Sequence, residues 1–337
     1  MHASIGFIIL FVAGMMNASF TLPMKYTRGW AWENTWFAWT ICALVVLPLL
    51  ITASTVPSLT TVYSSASIGV LERVILFGAG WGMAQVCFGL AVETIGIALT
   101  FSLVLGTSAA VGALVPLVRL HPERLRTTAG HGVLLGVAFV IAGVAACAIA
   151  GRMRDRAEHG REGVKKTSTW GIVLALLCGF GASFINLGLA FGSPLAERAR
   201  GFGAGTLAAP NAVWLPLMLA GAIPNLLYCG WLLMRKRTAS GFGRQGRRNW
   251  VLAVIMSVLW LGSTLLYGVA ATTLGSLGPI LGWPIFMTLI VMIASLLGMK
   301  TGEWKHAGRG PVLVQWGGVA LLVVAVFILA TANRHMS

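Results

Sequence analysis

The chain has 337 residues, of which 57% are hydrophobic and only 10% charged, at a mean hydropathy of +0.85. Soluble globular domains carry about 25% charged residues, so this composition excludes an ordinary soluble enzyme and fits a multi-span helical membrane protein. A net charge of +15 would point to nucleic acid in a soluble protein; here the basic residues sit in short loops between apolar segments, so they report membrane orientation and no nucleic-acid partner is expected.

A spanning helix needs about 20 mostly apolar residues. In chain order the sequence predicts ten: 4–24, 35–54, 72–92, 96–118, 131–150, 170–192, 208–233, 250–271, 276–298 and 312–331. No Lys or Arg precedes the first; Lys25 and Arg28 follow it, the reverse of a secretory signal, so it is read as a retained helix. G-W-A-W-E-N-T-W then occupies 29–36. Trp30, Trp32 and Trp36 are read as an interfacial belt, where the ring is apolar and its N–H seeks the wet side. Glu33 suits the N-terminal dipole of the second helix, and Lys25 is near enough to pair with it, as a candidate gate. Very tight turns around Gly96 and Gly275 join the third helix to the fourth and the eighth to the ninth. The seventh helix carries Pro210, Pro216 and Pro224, so it is predicted to kink, with Asn211 and Asn225 satisfying freed backbone groups. Spacings Gly78-x3-Gly82, Gly132-x3-Gly136 and Gly188-x3-Gly192 allow close helix approach. Cys42, Cys87, Cys147, Cys178 and Cys229 all lie in apolar stretches with no C-x-x-C pair; they are read as small core residues, and neither disulfide nor metal is inferred.

Assigning loops to alternating sides puts seventeen Lys and Arg on one face and seven on the other. The richer face is cytoplasmic by the positive-inside rule. Both termini then point outward, and 151–169 becomes a basic cytoplasmic linker between a first half, 1–150, and a second, 170–337. The halves are alike. W-G-M-A-Q-V-C-F-G-L-A-V-E-T-I-G from Trp81 aligns without gaps on W-L-G-S-T-L-L-Y-G-V-A-A-T-T-L-G from Trp260, an offset of 179. Gly6, Gly14 and Ala18-Ser19-Phe20 similarly match Gly171, Gly179 and Ala182-Ser183-Phe184, with one residue slipped. Five helices per half is an odd number, so the second half must enter the membrane upside down. The expected fold is all-α: ten transmembrane helices as two inverted five-helix repeats, an architecture of many secondary transporters, which bind substrate near the midplane.

W-A-W-E-N-T-W (30–36), W-G-M-A-Q-V-C-F-G-L (81–90), L-G-W-P (281–284) and G-E-W-K-H-A-G-R-G-P (302–311) carry a resemblance over nearly the whole chain. The sequence resembles the L-rhamnose–proton symporters of the drug/metabolite transporter superfamily. Some members of that family have asparagine where Gln85 and Cys87 stand and tyrosine at Phe88. The resemblance implies proton-coupled sugar uptake across a bacterial inner membrane, with no cofactor.

A sugar site needs amides or hydroxyls for the hydroxyl groups and aromatic faces for the C–H faces. Within the spans the amide candidates are Asn17, Gln85 and Asn186, and the aromatic ones Trp81, Trp260, Tyr267 and Trp283. Gln85 lies one turn beyond Trp81 on the same helix face. Buried amides in a bilayer also serve as helix–helix bonds, and tryptophans as packing or anchors; both readings stay open. No Asp, Glu or His lies mid-span. The candidates for proton coupling are therefore Glu93, at the mouth of the repeated helix, and Glu72, at its other end; capping or snorkelling is the competing role. Two other readings are weighed: an exporter or exchanger of another small metabolite on the same fold, and a membrane enzyme acting on lipid-linked sugars. The enzyme would need clustered carboxylates, histidines or a metal, and the densest acidic stretch, Asp155, Glu158 and Glu162, is interleaved with arginines.

Overall fold

Every predicted apolar segment is helical, because in lipid the backbone must satisfy its own hydrogen bonds. The computed structural model describes residues 2–95, 97–159, 168–243, 246–275, 277–300, 304–305 and 307–334. Ten helical segments are long and apolar enough to cross a membrane: Ser4–Tyr26, Trp32–Thr55, Ile68–Phe88, Leu99–Leu120, Thr128–Ala157, Thr169–Gly201, Asn211–Arg235, Gly246–Thr273, Gly278–Lys300 and Arg309–Ala332. No strand occurs among the described residues. The protein is a multi-pass, all-α membrane protein. The third helix continues past the apolar stretch to Ile95 and the fifth to His159, so helix ends outrun hydropathy.

Prolines decide the local irregularities. Pro48 cannot donate to the preceding turn, and the second span relaxes into a π segment, Ile41–Val46, just before it. In the seventh span, Pro216 leaves the Ala212 carbonyl without its helical donor; the Tyr63 hydroxyl donates to it at 3.0 Å. In the fourth, Pro116 does the same to Gly112, and Asn186 Nδ2 donates to that oxygen at 2.8 Å. The expected asparagine roles in the seventh span take a related form: Asn225 Nδ2 bonds Gly221 O at 2.9 Å, and Asn211 Nδ2 bonds Thr55 Oγ1 at 2.9 Å. Two spans are broken rather than bent. The first helix ends at Ser19, and the sixth is interrupted at Ser183, between Thr169–Ala182 and Phe184–Phe191. Both breaks fall in the matched Ala-Ser-Phe tripeptides.

Packing divides the chain into two compact units, Met1–Val86 with Leu187–Thr273, and Cys87–Asn186 with Leu274–Ser337. Each draws on both sequence halves. In the first unit the second span packs on the seventh and the eighth, and the first on the eighth. The third crosses the seventh through glycine: a Cβ on Gly82 would lie 2.4 Å from the Gly221 carbonyl oxygen, and one on Gly78 2.2 Å from that of Leu217. In the second unit the fourth span packs on the ninth, and the fifth on the tenth. The last pair runs antiparallel, with Gly132 against Ala332, Gly136 against Leu329, Gly143 against Leu322 and Cys147 against Gly318. Small residues let these backbones approach, which is how helices associate without a hydrophobic driving force.

Candidate functional site

Trp32, Trp36 and Trp39 recur at i, i+4 and i+7, so the second span carries them on one face. They begin a column of indoles inside the first unit. Trp32 stacks on Trp36 with centroids 5.4 Å apart, Trp36 meets Trp39 at 4.6 Å, and Trp39 stands edge-on to Trp260 at 5.2 Å. Trp260 stacks on Trp81 at 5.3 Å and 26°. The two tryptophans aligned at the offset of 179 therefore meet face to face. Trp81 fits because residue 221 is glycine, where a Cβ would lie 2.7 Å from its ring.

Polar groups line this column. Asn17 Nδ2 donates to Ser263 Oγ at 2.9 Å, and Ser263 Oγ donates to the Trp260 carbonyl at 2.6 Å. Trp36 Nε1 donates to Asn225 Oδ1 at 3.1 Å. Gln85 is half-buried one turn beyond Trp81, and Tyr267 is buried in the eighth span. Three buried indole N–H groups, those of Trp30, Trp39 and Trp214, have no hydrogen-bond partner among the described residues. Trp39 and Trp214 are only 1% exposed. A buried orphan donor costs about 1–3 kcal/mol, so such donors need a reason to persist. Trp214 is admitted by Gly268, beside Tyr267, where a Cβ would lie 2.9 Å from Nε1.

The first unit thus holds Asn17, Trp81, Gln85, Trp260 and Tyr267 of the expected site. Asn186 and Trp283 belong to the second. There Asn186 Nδ2 donates to Gly112 O at 2.8 Å and Pro279 O at 3.1 Å, and Trp283 Nε1 donates to Ser108 O at 2.9 Å. Trp39, Trp214 and Ser263 escaped the sequence reading. The regular spacing from Trp32 would have reached Trp39; Trp214 and Ser263 leave no comparable signal.

The carboxylates differ sharply in setting. Glu72 is exposed, and the side chain of Glu93 lies outside the described residues. Glu33 is 1% exposed, in the first turn of the second span. It accepts from Thr238 Oγ1 at 2.8 Å and from Lys236 Nζ at 3.4 Å. The ammonium beside it is thus Lys236 and not the expected Lys25, which is exposed in the preceding connection. Asn34 Nδ2 seals the same corner by donating to the Thr238 carbonyl at 2.9 Å. Of the tryptophans read as a belt, Trp32 is 41% exposed. Trp36 turns inward to Asn225, and Trp30 packs edge-on against Phe242 and Trp250. No group of three metal-ligating side chains occurs among the described residues. All five cysteines are unbridged.

Comparison with known proteins agrees with this architecture. A solved crystal structure superposes with a TM-score of 0.54 at 17% identity, covering 100% of this chain and 98% of the other, which shows a shared fold. The L-rhamnose-proton symporter of Escherichia coli O1:K1 / APEC is 28% identical over 320 residues, 93% of either chain. That of Shigella dysenteriae serotype 1 (strain Sd197) matches over the same extent at the same identity. The family model for the L-rhamnose-proton symport protein (RhaT) matches residues 1–333. With that match running from the first span through the tenth, the chain belongs to the L-rhamnose-proton symport protein family.

Proposed function

We propose that this protein is a secondary transporter that takes up L-rhamnose with protons by alternating access across a bacterial inner membrane. The observation that carries the sugar site is the stacked Trp81–Trp260 pair, flanked by the Asn17–Ser263 hydrogen bond and the unclaimed Trp39 N–H. Indole faces suit the C–H face and methyl group of a 6-deoxy sugar. The Asn17 amide, the Gln85 amide and the Trp39 N–H suit its hydroxyls. Tyr267, buried two turns beyond Trp260 in the same span, stays in this candidate set. Asn186 and Trp283 are a second candidate set; their hydrogen bonds to backbone carbonyls favour a scaffolding role within the second unit.

Several observations favour an inverted repeat of halves 1–150 and 170–337 about the linker 151–169. The second span packs on the seventh, the fourth on the ninth and the fifth on the tenth, each an element against its own counterpart. Gly143 meets Leu322, its own partner at the offset of 179, in a pair that runs antiparallel. Elements near a pseudo-twofold axis in the membrane plane must behave so. The charge asymmetry favours both termini outside. For the proton the sequence candidates remain Glu93 and Glu72, and for the gate Lys25 and Glu33.

The test is uptake of radiolabelled L-rhamnose into proteoliposomes, with and without an inward proton gradient. Accumulation that needs the gradient and is competed by unlabelled L-rhamnose is expected. Uptake indifferent to the gradient would remove the proton, and no uptake by folded protein would remove the sugar.

A further inference from the structure

A symporter must make proton binding a condition of changing shape, so the group that carries the proton should also hold the shape. Among the described acidic side chains, Glu33 alone is buried; Glu72, Glu123 and Glu197 are exposed and Asp155 is half-exposed. An ionisable group buried in a membrane span is a functional-site hypothesis by default, with its partner named. The partner here is Lys236, at the end of the seventh span.

We propose that Glu33 carries the coupled proton, trading it for the ammonium of Lys236 each time the start of the second span parts from the end of the seventh. This rests on the symport reading above. The argument is the asymmetry of the pair. The Lys236 side chain is 53% exposed and that of Glu33 1%. Lys236 can withdraw into water, keeping its three hydrogens and its charge, at little cost. Glu33 cannot follow. Left with the Thr238 hydroxyl and its own backbone N–H, it would be a carboxylate shut away from water without its counter-charge, which is costly. One proton arriving from the outer side onto a carboxylate oxygen makes it a neutral acid, removes that cost and lets the contact open. The reverse step releases the proton to the cytoplasmic water as Lys236 comes back. Parting of the two elements and protonation are thereby one event.

The surroundings suit a contact that opens and closes. Arg237, between the two Glu33 partners, holds a left-handed backbone at φ 55°, which a non-glycine residue adopts only under strain. Of the other titratable groups packed near Glu33, the buried Cys229 thiol lies on the same seventh span. Lys25, Arg28, Arg235 and Arg237 are exposed at this end. No second carboxylate among the described residues shares the corner.

The experiment compares two transport modes in proteoliposomes. Equilibrium exchange of L-rhamnose needs no net proton movement; accumulation does. With one pH unit imposed, a one-proton symporter accumulates about tenfold. Glu33→Gln keeps the shape and a partner for Thr238, so its accumulation should fall to about onefold while exchange persists and no longer responds to pH. Sugar-induced alkalinisation of a weakly buffered medium should vanish with it. Lys236→Gln alters only a half-exposed side chain and leaves Glu33 holding its proton; it should show the same split, and serves if Glu33→Gln does not fold. Accumulation by Glu33→Gln at the wild-type ratio overturns the proposal. So does wild-type accumulation by Lys236→Gln, or loss of exchange together with accumulation in a folded Glu33→Gln. Uncoupling by Glu93→Gln alone would move the proton there. If wild type itself neither exchanges nor accumulates L-rhamnose, it is the symport reading that fails.

Discussion

Replacing Asn186 by alanine separates a scaffolding amide from a sugar-binding one. Pro116 has no N–H, so the Gly112 carbonyl lacks its helical donor, and Asn186 Nδ2 supplies one at 2.8 Å. The second hydrogen goes to Pro279 O at 3.1 Å. Hydrogen bonds between membrane helices are worth about 0.6 kcal/mol on average, and a buried acceptor left without a partner costs about 1–3 kcal/mol. Asn186→Ala should therefore destabilise the protein by about 1–2 kcal/mol. In a Pro116→Ala background residue 116 regains its N–H, Gly112 O recovers a helical donor, and the loss of Asn186 should cost about 1 kcal/mol less. Unfolding in mixed micelles of the four proteins of this cycle measures the difference, since effects on packing elsewhere cancel. Equal costs in both backgrounds would refute the link between the proline and the asparagine. A large loss of L-rhamnose exchange at unchanged stability would instead make Asn186 a substrate contact.

Trp260→Leu removes one face of the Trp81 stack; with aromatic contacts worth about 0.5–1.5 kcal/mol, the half-saturating L-rhamnose concentration in exchange should rise roughly 2- to 10-fold. Trp39→Phe keeps a ring and deletes the orphan donor. If a sugar hydroxyl takes that N–H, affinity should fall a few-fold, and the penalty should disappear with the deoxy analogue that lacks the bonded hydroxyl. Arg237→Gly relieves the left-handed position at φ 55°, so it should stabilise by about 1 kcal/mol, read as a melting temperature raised by about 2–3 °C.

Hydropathy exposed all ten spans because lipid enforces it residue by residue; the physical demand on each helix is local. What it could not reach was set by partners. The Tyr63 bond to Ala212 and the Asn186 bond to Gly112 each need a residue far away in sequence. The candidate site was legible where the sequence matches itself: Trp81 and Trp260, which stack on one another, stand at the same place in the offset alignment. Trp214 was missed because its place depends on a glycine 54 positions later, Gly268. Glu33 was noticed for its helix end, but charge and proximity in sequence pointed to Lys25. The true ammonium, Lys236, lies 203 positions away, brought there by the packing of the second span on the seventh.

The indole column has an optical consequence. Five chromophores, from Trp32 through Trp36, Trp39 and Trp260 to Trp81, lie with successive centroids 4.6–5.4 Å apart. Transition dipoles that close and that rigidly held couple, so the column has a near-ultraviolet circular dichroism signal that isolated tryptophans lack. A sugar entering between Trp81 and Trp260 would break the last link of that coupled chain. If the proposed site is right, the protein would carry its own spectroscopic gauge of occupancy, readable without a label.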